Sequence, residues 1–121
     1  MGRRLDKPRN NKTMTESAFF SWLRSSLRRT YMRGWKPANE VAKDNRRAIT
    51  KGRSKWEYQC KSCKDWFLRK DVQVDHIIEC GTLKTFEDLS LFSERLFVEK
   101  DGLQILCTEC HNRKTHDYKT D

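Results

Sequence analysis

The chain has 121 residues and a mass of 14.5 kDa, with 36% hydrophobic residues, 36% charged residues and a mean hydropathy of −0.96. That balance argues against a large apolar core and calls for some other device to hold the fold. No run approaches the roughly 18 apolar residues of a membrane span, and the basic start MGRRLDKPRN lacks the apolar stretch of a secretory signal, so a transmembrane or exported protein is not expected.

The charge is uneven. Residues 1–56 hold 16 basic and 4 acidic side chains, a net of +12, whereas residues 57–121 hold 10 and 13, a net of −3. A basic segment of this kind suits a polyanion, because each neutralised phosphate releases condensed counterions. The plainer alternative is a solvated tail. Anionic lipid fits less well, since no long amphipathic face repeats.

Residues 1–12 are polar and predict little order. Thr13-Met14-Thr15-Glu16 has the spacing of a capping box, and the stretch ESAFFSWLRSSLRRTYMR reads as a helix. Phe19, Trp22, Leu23, Leu27 and Tyr31 recur at spacings of three and four, with Arg24 and Arg28 on another side. Gly34 and Pro37 end this helix, and a weaker one is predicted from Ala38 to about Ile49. Lys51-Gly52-Arg53-Ser54-Lys55 reads as a basic hinge. From Trp56 onward aromatics, cysteines and short β-branched runs dominate. Val72–Ile78 predicts a strand, Thr85 to about Val98 a short helix, Leu103–Leu106 a second strand, and Thr108 onward a terminal helix. The division expected is a basic, largely helical arm over 1–56 and a second domain over 57–121.

Cys60, Cys63, Cys107 and Cys110 form two Cys-x-x-Cys pairs with 43 residues between them. Two such knuckles supply four thiolates to one tetrahedral Zn²⁺, and metal binding would compensate for the small core. Two disulfides or free thiols are the alternative; the lack of a signal peptide weighs against disulfides. Cys80 is left over as a packed or idle thiol. Two tied pairs draw Asp75-His76, at the end of the first strand, towards His111, next to Cys110. A phosphodiester hydrolase needs a base to activate water, a divalent cation at the phosphoryl group, and cationic groups on the backbone. His76, Asp75 with His111, and Arg113 with Lys114 are the candidates for these three tasks. Each histidine alone reads more readily as a structural residue, and the combination with the two cysteine pairs shifts the balance.

Cys60-x-x-Cys63, Val74-Asp75-His76-Ile77-Ile78 and Leu103-Gln104-x-Leu106-Cys107-x-x-Cys110-His111-x-x-Lys114-Thr115 together resemble the HNH endonucleases with a four-cysteine zinc site, over roughly residues 57–117. The stretch Gly81–Leu89 with Arg95-Leu96-Phe97 resembles a helical insertion of small phage and prophage members. The resemblance implies an α+β fold with a ββα-metal (His-Me finger) core stapled by a four-cysteine zinc site. It implies a metal-dependent DNA endonuclease in which His76 is the general base, and Asp75 and His111 hold one catalytic divalent cation. Oxygen from Asp75 suits Mg²⁺ and the imidazole of His111 suits Mn²⁺ or another transition metal. The motif's middle asparagine falls on Gly102, which lacks the side chain that braces the loop; Asp101 is the candidate substitute. His116 is five residues beyond His111, about 140° round the helix, and points to solvent or DNA. Glu79 stands where proline is frequent.

The aromatic stripe Phe19, Trp22, Leu23, Leu27 is expected to dock on the zinc-bound domain, with Arg24, Arg28 and Arg29 facing outward along a duplex and joined by Arg53, Arg113 and Lys114 as phosphate contacts. The competing functions are a non-catalytic zinc-bound nucleic-acid-binding module and a small protein docking on a phage packaging machine. DNA is the expected partner, and the expected setting is the cytoplasm, as a phage-encoded protein in a bacterial host.

Overall fold

The computed structural model describes residues 6–50, 52 and 55–120, with side chains to Asp117. The chain runs α1 (Glu16–Met32), α2 (Lys36–Asp44), β1 (Arg46–Ala48), β2 (Trp56–Gln59), β3 (Trp66–Phe67), β4 (Val72–His76), α3 (Leu89–Leu96), β5 (Leu103–Cys107) and α4 (Thr108–Thr120). The mixture of helices and two small sheets is α+β, as expected. None of the described helices is long and apolar enough to cross a membrane. Contacts divide the chain differently from charge. One compact unit joins residues 1–35 to 79–97, and the other joins 36–78 to 98–121.

In the first unit α1 packs on the inserted segment. Phe20, Cys80, Leu83, Phe92 and Leu96 are buried, with Leu23, Leu27, Tyr31 and Phe97 packed against them. Within this unit the stripe docks on the insertion, residues 80–97 of the expected second domain. With about 100° per residue, Phe20, Leu23, Leu27 and Tyr31 share one face, while Trp22 lies nearly opposite Phe20. Trp22 is accordingly 55% exposed. The true centre of the face is Phe20, which the expected stripe omitted.

The start of α1 also differs from expectation. Its N-cap is Thr15, whose side chain accepts from the Ala18 amide at 3.0 Å. Thr13 instead donates to the Asn10 carbonyl, and Glu16 pairs with Arg9. Residues 9–14, expected to be disordered as far as 12, close a turn in which Arg9 and Met14 bond backbone to backbone. Asn10, Asn11 and Lys12 all take left-handed φ, which asparagine tolerates well.

In the second unit β1, β2 and β3 form an antiparallel sheet, and β4 and β5 an antiparallel pair. The predicted helix to Ile49 stops at Asp44. Asn45 caps it by donating from its amide to the Ala42 carbonyl and from Nδ2 to that of Val41. Arg46–Ala48 then pairs with β2, where the guanidinium of Arg46 lies over Trp56 and that of Arg47 over Trp66. Strand pairing and ring stacking outweigh local helix propensity there. Pro37 sits in the first turn of α2, where its missing N–H costs nothing. Most of the basic hinge (Lys51, Arg53 and Ser54) lies outside the described residues.

β4 and β5 follow the predicted strands, although β4 ends at His76, before Ile77-Ile78. The helix predicted over 85–98 is a 3₁₀ turn over Phe86–Asp88 running into α3. β5 runs into α4 without a connecting residue. With β4 these elements make the expected ββα arrangement.

Candidate functional site

Two groups of chemistry-bearing side chains assemble, both in the second unit. The first is the cysteines. All five are free thiols. The ligand atoms of Cys60, Cys63, Cys107 and Cys110 lie within 4.8 Å of one another. Sulfurs about 2.3 Å from one tetrahedral zinc stand about 3.8 Å apart, so the cluster needs only slight contraction to hold an ion, and its all-sulfur donor set suits zinc.

The local backbone explains the convergence. Directly after Cys63 the knuckle closes at Lys64, whose φ of 69° is left-handed, with the Lys64 amide donating to the Cys60 carbonyl at 3.0 Å. The Lys61 amide donates to the Ile105 carbonyl at 2.8 Å and ties this knuckle to β5. The second knuckle spans the β5–α4 junction, where the Cys110 amide donates to Cys107 Sγ at 3.4 Å.

The thiols are not equivalent. Burial raises the Cys60 thiol, but backbone N–H donors from Cys107, Cys63 and Ser62 outweigh it and bring it down to about 6. Burial pushes Cys107 up to about 12, reinforced by the neighbouring Cys110 and Cys60. Cys80 is separate, in the first unit. Burial raises its thiol, in keeping with a packed, inert role.

The second group centres on Asp75, the buried charged residue among those described, at 6% exposure. The β4–β5 register sets Asp75 opposite Gln104, and Gln104 Nε2 donates to Asp75 Oδ2 at 2.8 Å. From α4, Lys114 Nζ donates to the same oxygen at 2.6 Å and to the carbonyl of His76 at 2.5 Å. His111 Nε2 stands 3.6 Å from Asp75 Oδ1, beyond a good hydrogen bond. Two ligands about 2.1 Å from a shared ion at a tetrahedral angle are roughly 3.4 Å apart, so this oxygen and nitrogen fit one small cation. Nδ1 of the same ring is buried with no hydrogen-bond partner among the described residues. His76, the last residue of β4, is half-buried, and the chain bends immediately after it.

Gly102, at the position of the missing asparagine, has a structural explanation. A Cβ there would meet both Val98 Cβ and Val98 Cγ2 at 2.9 Å, so the chain has no room for any larger residue. The bracing comes from the backbone. The Ile77 amide donates to the Gly102 carbonyl at 3.0 Å, and the Gly102 amide donates to that of Glu99 at 2.9 Å. These bonds join the segment after β4 to the turn before β5, and exposed Asp101 is not needed for it.

The remaining candidates separate. Arg28, Arg29 and His116 are exposed. Arg113 is exposed and pairs with Glu109. Arg24, expected to face outward, is half-buried in the first unit. Its Nη1 donates to the Gly81 carbonyl at 2.9 Å, and its guanidinium lies 5.0 Å from the Phe92 ring centroid. Lys114, expected at phosphate, is engaged with Asp75. Arg53 lies outside the described residues. Gln104 was given no role by the sequence; the facing registers of the two strands were the signal that could have found it.

No protein-family model matches the chain, and no solved structure matches it. A curated relative from Lactococcus phage SK1, named a probable HNH endonuclease, is 42% identical over 53 residues, which is 44% of this chain and 50% of that protein. The chain thus spans about half the length of the relative it matches. The resemblance carried by the motifs is met by this similarity and by the gathered cysteines: over those 53 residues the chain is similar to a phage HNH-type protein, and it bears a four-cysteine metal site.

Proposed function

We propose that the chain is a metal-dependent endonuclease that hydrolyses phosphodiester bonds in duplex DNA, with zinc held by Cys60, Cys63, Cys107 and Cys110. The observation that carries the reading is the meeting of Asp75 and His111 at 3.6 Å on a ββα unit whose β4 ends in His76. The similarity to a named probable HNH endonuclease supports the same class.

In this reading Asp75 and His111 hold one Mg²⁺ or Mn²⁺ ion, which would polarise the phosphoryl group and stabilise the leaving oxygen. His76 accepts a proton from water as the new P–O bond forms and the old one breaks. Gln104 and Lys114 keep the Asp75 carboxylate in place. Exposed Arg28, Arg29 and Arg113 are the proposed phosphate contacts. The protein would act inside a bacterial host, as a phage-encoded enzyme.

The test is supercoiled plasmid incubated with zinc-loaded protein, with and without Mg²⁺ or Mn²⁺, beside His76→Ala checked for zinc content and fold. Cation-dependent nicking or linearisation, lost in the variant, is expected. Equal trace cutting by both proteins marks a contaminant. A salt-sensitive mobility shift without cutting would replace the enzyme by a nucleic-acid-binding module.

A further inference from the structure

The ammonium group of Lys114 has an unusual place for a residue of a basic, phosphate-seeking surface. It donates to Asp75 Oδ2 at 2.6 Å and to the main-chain carbonyls of His76 at 2.5 Å and Ile77 at 3.4 Å. Gln104 also donates to Oδ2. Both side-chain bonds therefore fall on one carboxylate oxygen, while Oδ1 faces His111 Nε2. Lys114 follows His111 by three residues on α4, which puts both on the same side of the helix.

We propose that Lys114 is a positioning residue that neutralises Asp75, reserves Oδ1 for the catalytic cation, and so makes tight cation binding depend on the phosphate of bound DNA. This deepens the nuclease reading and rests on it. The physical argument is one of charge. The Asp75–Lys114 pair sums to zero. A dication leaving water for Asp75 meets a carboxylate whose charge is already matched, and its attraction to Asp75 is offset by repulsion from Lys114 a few ångströms away. A phosphodiester brings one negative charge. Cation and DNA then reinforce each other, by the same factor in either direction. The carbonyls of His76 and Ile77 in the grip of Lys114 also hold the end of β4, the segment that carries the proposed base.

The test titrates Mn²⁺ into zinc-loaded protein, read by water-proton relaxation, with and without a short duplex whose own Mn²⁺ binding is subtracted. His76→Ala is used as the background so that the duplex survives. In that background the duplex is expected to tighten Mn²⁺ by about tenfold or more. Adding Lys114→Met is expected to tighten Mn²⁺ by a similar factor without DNA and to shrink the effect of the duplex. Lys114→Arg keeps the charge and leaves Mn²⁺ affinity near its starting value. In the otherwise unaltered chain, Lys114→Met is expected to slow plasmid nicking while holding the metal more tightly, a pair of opposite changes that loss of structure does not produce.

Unchanged or weakened Mn²⁺ binding in a zinc-retaining Lys114→Met protein overturns the proposal. If that variant does not fold, equal Mn²⁺ affinity with and without duplex in the Lys114-containing protein overturns it instead. A chain that nicks plasmid with Mn²⁺ but shows neither effect retains the nuclease reading and loses only the role of Lys114. A chain that does not nick, and in which Asp75→Asn leaves Mn²⁺ binding unaltered, loses both.

Discussion

Both compact units bury apolar side chains, but the second adds buried groups of another kind. The first closes over the rings of Phe20 and Phe92 with Leu83 and Leu96, and its buried thiol, Cys80, is held neutral by its surroundings. Such groups are content once water is gone. The second buries Cys60, Cys107, Cys110 and Asp75, which are not. Thiols gathered this closely call for a metal, and a buried carboxylate calls for donors, here Gln104 and Lys114. Buried groups that require partners mark where chemistry is done; buried groups that require none mark scaffolding. By this measure the insertion and α1 are scaffolding, and β4, β5 and α4 carry the groups of the proposed site.

The strongest way to break the contrast is to remove the metal. A zinc chelator, or Cys60→Ser, is expected to abolish the protection of β5 amides against hydrogen exchange, because structural zinc contributes on the order of 10 kcal/mol to folding in small domains. The Phe92 and Leu96 amides should lose protection less. Chelation should also be easier at lower pH. Cys107 is raised to about 12 and is protonated without metal, so binding an ion releases its proton and affinity falls as pH falls. Equal loss in both units at every pH would erase the distinction drawn here.

Next in size, Phe92→Ala is expected to destabilise the first unit by about 3–5 kcal/mol in denaturant unfolding while bound zinc, measured by metal analysis, stays constant. Within the second unit, Gly102→Ala forces a side chain against Val98 and should cost about 1–3 kcal/mol. Adding Val98→Ala removes the Cγ contacts but keeps the Cβ contact, and should recover part of that loss; no recovery at all would mean that space is not what excludes other residues from position 102.

The smallest effect concerns the turn before α3. Asp88 is held below its ordinary 3.8, first by the Lys84 amide and then by that of Thr85. A lowered carboxyl contributes stability above its unfolded value and loses it as pH falls through the folded one. Protection of α3 amides, corrected for intrinsic exchange, should therefore decline as pH drops from about 5 towards 2. Asp88→Asn should start lower and show less of that decline.

Much of this was legible beforehand. The Cys-x-x-Cys pairs announced the cluster because ligand spacing is a local property. Asp75-His76 and Cys110-His111 announced the approach of His111 to Asp75 because two tied knuckles restrict where the intervening strands can lie. What escaped depended on partners distant in sequence. Arg46–Ala48 looks helical by itself and becomes a strand only beside β2. Arg24 and Lys114 look like surface cations until Gly81 and Asp75 are brought to them. Phe20 was passed over for Trp22 because both fall at helical spacings, and only the position of the facing insertion selects between them. Gly102 was read as a missing function, whereas it is a packing contact with Val98.

The direct passage from β5 into α4 has a consequence for how this chain can vary in length. Cys107 and Cys110 anchor the start of the helix, and His111 and Lys114 follow on the same rigid rod. One residue inserted between the adjacent Cys110 and His111 would leave the cysteines free to assemble but swing His111 and Lys114 by about 100°. The segment from Cys110 to Lys114 therefore forms a window in which a change of length separates metal retention from the proposed catalysis. In a library of single-residue indels, this window should yield folded, zinc-bound, inactive proteins, whereas length changes in the segment 82–85 should leave His111 and Asp75 in phase.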